Sequence, residues 1–150
     1  MKPQTNLIKL CILIFPLISI ACASQPGPPN IADADVFFVK AIFISQNDTW
    51  TFEVTVEHPD SGWDDYADGW DVVTPDGTVL KRNPDVPFTR LLAHPHVNEQ
   101  PFTRSQSGIT IPDGISEVVV RAHDIVNGFG GAEVRVNFTQ SQGPGFEVQR

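Results

Sequence analysis

The chain has 150 residues, with 10 Lys and Arg against 18 Asp and Glu, giving a net charge of −8 with its 4 His neutral. That length fits one domain of about 100–150 residues, and an apolar fraction of 41% is too high for a disordered chain. The acidic balance excludes a nucleic-acid partner, which needs a field of Lys and Arg, and adsorption to anionic lipid. Two cysteines exclude a disulfide-dense scaffold.

Residues 1–21 read as an export signal. Lys2 and Lys9 charge a polar start, and Leu10 to Ile20 is apolar apart from Pro16 and Ser19, which is the order of an n-region and an h-region. The apolar run is near half the roughly 20 residues that a spanning helix needs. Two cuts compete. Ser19-Ile20-Ala21-Cys22 resembles a bacterial lipobox, with cleavage before Cys22 and lipidation of its thiol, although Ser19 stands where that pattern prefers an aliphatic residue. Ala21-Cys22-Ala23 is the alternative, an A-x-A site cut after Ala23. The mature chain, without Lys2 and Lys9, keeps 8 basic and 18 acidic residues and carries a charge of −10. Its location is expected to be the bacterial envelope, lipid-anchored or periplasmic.

Residues 22–33 contain Gln25-Pro26-Gly27-Pro28-Pro29 and read as a linker, since Pro and Gly oppose both helix and paired strand. Residues 34–139 are expected to form one all-β domain, and residues 140–150, opened by Gln140-Ser141-Gln142-Gly143-Pro144-Gly145, a flexible tail. Trp50, Phe52, Val54 and Val56 alternate with polar residues, as do Val134, Val136 and Phe138; this is the period of strands with one buried face. Strands are expected at 35–44, 49–58, 69–74, 78–82, 88–93, 101–111, 116–123 and 132–138. Turns fall at Gln46-Asn47-Asp48, Pro75-Asp76-Gly77, Pro112-Asp113-Gly114 and Asn127-Gly128. The order is that of an antiparallel β-sandwich of immunoglobulin or fibronectin type, without the Cys pair and with Tyr66 as its only tyrosine.

Hairpins send alternate loops to opposite ends of a sandwich. Tracing the strands places His58, His94, His96 and His123 at one end, with Asp60, Asp64, Asp65, Asp68, Glu99 and Asp124. Imidazole suits borderline transition metals and carboxylate completes the shell. The metal candidates are therefore His94, His96 and His123, with His58, Asp124 or Asp65 completing the set, and the cation copper or zinc, with calcium less favoured. His94 and His96 are two apart, so both rings can point one way from extended backbone. His58 lies in phase with the apolar face of its strand, whereas His123 is out of phase with Val118 and Val120. Solvated or hydrogen-bonded histidines are the competing expectation.

Residues 60–71, DSGWDDYADGWD, form an acidic aromatic loop. Trp70 is expected in the core, while Trp63 and Tyr66 could form a binding face. Calcium is a third reading, though the EF-hand pattern fails at Tyr66 and Pro75. Arg104 is expected to pair with an acidic neighbour. Neither G-x-S-x-G nor H-E-x-x-H occurs, the glycines of 128–131 precede no helix, and a binding rather than a catalytic role is expected.

Three stretches, VEHPDSGWDDYADGWDV, LLAHPHVNEQPFTR and VRAHD, resemble a group of small exported bacterial proteins of unassigned function. The resemblance covers roughly Asp48 to Phe138. It implies a compact β-sandwich and an envelope location, and supplies no activity. The expectation is an envelope module that binds a ligand or metal; the alternative is a structural or adhesion domain with no small ligand, its partner a protein or glycan of the envelope. Contact with the membrane is expected only through a lipid anchor.

Overall fold

The computed structural model describes residues 33–150. The export signal, Cys22 and all of the linker but Asp33 lie outside the described residues. Among the described residues, nine strands form two sheets. They are β1 (Asp35–Ile44), β2 (Thr49–Glu57), β3 (Ala67–Val73), β4 (Arg90–Leu91), β5 (Phe102–Ile109), β6 (Glu117–Asp124), β7 (Val134–Asn137), β8 (Gln142–Gly143) and β9 (Phe146–Gln149). One sheet runs β5-β2-β1-β9-β8, the other β4-β3-β6-β7. The two sheets pack face to face as an all-β, sandwich-like body.

Side-chain alternation sets the faces. In β2, Trp50, Phe52, Val54 and Val56 are buried, and in β6, Val118, Val120 and Ala122. Both strands are amphipathic with period two, so burying one face fixes their register. Trp70 and Val72 of β3, Val134 and Val136 of β7, and Val39 and Ala41 of β1 complete the layer between the sheets. Val36–Ile44, apolar on both faces in sequence, lies between β2 and β9 with a register shift between Val36 and Phe38 that leaves Phe37 and Phe38 exposed.

Three expectations are corrected. The run 78–82 forms no strand: Val79 makes a single bridge to Val73, and Pro84 and Pro87 soon follow without N–H groups for a ladder. The run 88–93 shortens to the two residues of β4. Side chains replace the missing ladder there, since Val72 N–H donates to Thr89 Oγ1 at 2.9 Å and Thr89 N–H to Asp71 Oδ1 at 3.0 Å. Third, residues 140–150 are not a flexible tail. Pro144 and Gly145 form a turn, with Gly145 at φ 75°, and β9 adds to β1 in parallel from Val39↔Phe146 to Ile42↔Gln149. Phe146 and Val148 belong to the core. The two-sheet body thus extends past 139.

The turns at 45–48, 75–78 and 112–115 share one pole, here the lower. The other carries the β2–β3 loop, the β4–β5 loop and the β6–β7 loop, as the pairings Asp35↔Glu57, Ala67↔Asp124 and Val56↔Phe102 require. All four histidines are therefore at this upper pole, as the strand tracing predicts. Gly69 is needed here, because a Cβ would stand 2.1 Å from the Phe88 ring.

Candidate metal centre at the upper pole

His58 follows β2 and keeps its parity, so it turns inward after Val54 and Val56 and is 1% exposed. Its Nδ1 donates to Asp60 Oδ1 at 2.6 Å. Asp60 is itself buried and accepts three N–H groups: Oδ1 also takes the Ala67 N–H at 3.0 Å, and Oδ2 takes the His96 N–H at 2.6 Å. One carboxylate thus joins the β2–β3 loop, the start of β3 and the β4–β5 loop. Carboxylate at Nδ1 fixes the ring and its tautomer, as in sites where the far nitrogen meets a cation. That nitrogen, His58 Nε2, lies 3.6 Å from Asp65 Oδ1.

Asp124 ends β6 in phase with Val118, Val120 and Ala122, so its carboxylate enters the same space; it is 0% exposed. Oδ1 caps the next turn, accepting from Val126 N–H at 2.9 Å and Asn127 N–H at 2.6 Å. Backbone bonds with Gly128 in both directions close the loop, and Ile125 N–H bonds the Tyr66 carbonyl at 3.2 Å. Oδ2 is buried with no hydrogen bond, and so is Asp65 Oδ1. Buried polar atoms nearly always have partners, and an uncompensated buried carboxylate is costly.

Ligand atoms of His58, Asp65 and Asp124 lie within 4.8 Å of one another, and this is the group of three or more such side chains that the described residues bring together. A tetrahedral ion with bonds of about 2.0–2.2 Å separates its ligand atoms by roughly 3.4 Å, close to the His58–Asp65 spacing of 3.6 Å.

His94, His96 and His123 do not join this group. His94 is exposed, its ring 4.5 Å from that of His96. His96 is buried and stacked on Phe102 at 3.8 Å and 12°. His123 points from the other face of β6, where Asp68 Oδ1 lies 2.5 Å from its Nδ1 and Phe88 and Phe129 flank it at 5.0 and 4.8 Å. Asp60 and Asp68, which the strand tracing puts at this pole but not among the metal candidates, are the carboxylates that hold His58 and His123. His58-Pro59-Asp60 carried a signal, since two residues in extended chain return to one side. Trp63 is 68% exposed and packs edge-on against Tyr66 at 5.9 Å. Arg104 pairs with Glu99 at 2.8 Å, which holds the Glu99 carboxyl below its usual range.

Both ring nitrogens of His96 are buried without hydrogen bonds. Burial first, then Arg104 and His94, hold this imidazole below its ordinary range. The unfolded chain therefore binds a proton more readily, and stability from this group is present above about pH 6.5 and lost as pH falls through the lower folded value. The melting temperature should drop between pH 7 and 5, and His96→Phe, which keeps the stack on Phe102, should flatten part of that slope in thermal scans. An unchanged slope would reject the assignment.

Comparison adds one relative. A protein of the archaeon Halomicrobium mukohataei, provisionally described as a lipoprotein, is 44% identical over 86 residues, which cover 57% of this chain and 38% of that protein. The match thus spans under half of the relative's length, and the relative is archaeal where the resemblance pointed to bacteria. No family model matches the chain, and no solved structure does.

Proposed function

We propose that this chain is an exported, lipid-anchored binding module with an immunoglobulin-like body, in which His58, Asp65 and Asp124 hold a divalent metal ion. One observation carries the proposal: Asp124 Oδ2 is buried and unbonded in a group whose ligand atoms lie within 4.8 Å of one another. A cation would compensate both orphaned carboxylate oxygens. One imidazole and two carboxylates suit a borderline ion, zinc or copper, ahead of calcium, which takes six to eight oxygens. Asp60 would orient His58 from behind. The ion would tie the β2–β3 loop to the end of β6, so its role is to set the shape of the upper pole. The description of the archaeal relative and the Ser19-Ile20-Ala21-Cys22 stretch support the lipid anchor.

Plasma-emission analysis of the untagged full chain, reloaded with zinc or with copper and freed of excess, tests the site. About one equivalent is expected, on the one-ion stoichiometry of a mononuclear centre. Retention below about a tenth of an equivalent for both zinc and copper would end the proposal.

A further inference from the structure

We infer that the upper pole faces the lipid surface and rests its exposed apolar side chains in the bilayer interface; the inference depends on the lipid-anchor reading above. Every large apolar side chain exposed among the described residues lies in the upper half of the body. Trp63 is on the β2–β3 loop, Leu91 and Val97 are on β4 and the loop after it, and Ile125, Val126 and Phe129 are on the β6–β7 loop, with exposures from 40% to 68%. Phe37 and Phe38 add to them from the start of β1. That these groups gather at one pole is the observation from which a contact surface is inferred.

The tether identifies the occupant. The described chain begins at Asp33, immediately before β1, and β1 starts at the upper pole through Asp35↔Glu57. A Cβ on Gly130 would come within 2.7 Å of Asp33 Oδ1, so Asp33 abuts the β6–β7 loop. Cys22 lies eleven residues upstream of Asp33. Eleven residues reach at most roughly 40 Å, while the ten residues of β1 alone span about 33 Å. Bringing the lower pole to the membrane would need a nearly taut tether laid along the whole body. Holding the upper pole there needs almost none of that reach.

The chemistry of the rim agrees. Trp63, backed edge-on by Tyr66, pairs an apolar body with a polar tip, the type of side chain that settles at a membrane interface. Asp64 and Asp65 sit beside Trp63, so the surface suited is neutral lipid rather than anionic lipid.

Trp63 is also the probe, because Trp50 and Trp70 are 7% and 0% exposed. The lipidated mature chain, from Cys22 on, the same mature chain with Cys22→Ser, and the lipidated mature chain with Trp63→Ser are mixed with phosphatidylcholine vesicles carrying dibrominated acyl chains. The lipidated wild type should float with the vesicles and lose up to a third of its emission, the share of one tryptophan in three. Trp63→Ser should float equally and show no quenching. Flotation of the wild type without quenching overturns the inference and leaves the anchor standing. Wild type that floats no better than Cys22→Ser overturns the anchor, and this inference with it.

Discussion

Asp124→Asn should move stability in opposite directions with and without metal. Without metal, the substitution removes a carboxylate charge with one unbonded oxygen from a fully buried position and keeps the oxygen that caps Val126 and Asn127. The new amide also places a donor near Asp65 Oδ1, which otherwise has no hydrogen bond. A gain of about 1–3 kcal/mol is expected, the scale of one unsatisfied buried polar group. With zinc at about one hundred times its Kd, the wild type should gain about 2.7 kcal/mol by mass action, or roughly 10 °C in Tm for a body of this size. The variant should gain almost nothing. Calorimetric scans of both proteins, with zinc and with chelator, give the four values needed. An equal zinc shift in both would place the ion elsewhere or nowhere.

Phe146→Ala should be among the most damaging single changes outside this centre. Phe146 is 4% exposed and stands against Val39 of β1. Truncating a buried Phe costs about 3–5 kcal/mol, a large share of the roughly 5–15 kcal/mol that holds a domain together. Phe37→Ala, at a ring 63% exposed, should change stability by no more than about 0.5 kcal/mol. Urea titration of the two variants makes the comparison. Equal midpoints would mean that β9 does not seal the sandwich.

Much of this fold was legible because its central strands obey a strict alternation. Trp50 to Val56 in β2 and Val118 to Ala122 in β6 show one apolar side each, and their bounds match the expectation within a residue or two. The end of the chain was not legible. Phe146-Glu147-Val148-Gln149 offers only two apolar positions, too few for a period, and Pro144-Gly145 reads equally as a turn or as an exit from the fold. The runs at 78–82 and 88–93 were overestimated because backbone groups in them bond to side chains, the Leu80 carbonyl accepting from Thr89 Oγ1 and the Thr89 N–H donating to Asp71 Oδ1, which local pattern does not reveal.

The site divides in the same way. Parity places His58 inward after Val56 and Asp124 inward after Ala122, so two of the three members follow from counting along strands. The same count puts His123 outward, where the structure has it beside Asp68. Asp65 belongs to an irregular loop whose course no periodicity dictates. Its approach to His58 depends on local bonds: Ser61 N–H to the Asp65 carbonyl at 2.9 Å and Asp65 N–H to the Gly62 carbonyl at 3.2 Å.

The parallel seam between β1 and β9 has a kinetic consequence. It joins Val39 to Phe146, residues more than a hundred positions apart, so the first strand obtains its second neighbour only after every other strand has been synthesised. Pairings this remote in sequence delay folding, and bodies built on them take on the order of milliseconds to seconds to form. If the chain is exported as proposed above, slowness is useful: a chain that stays pliable until nearly all of it has emerged can thread a translocation pore and knit together on the far side.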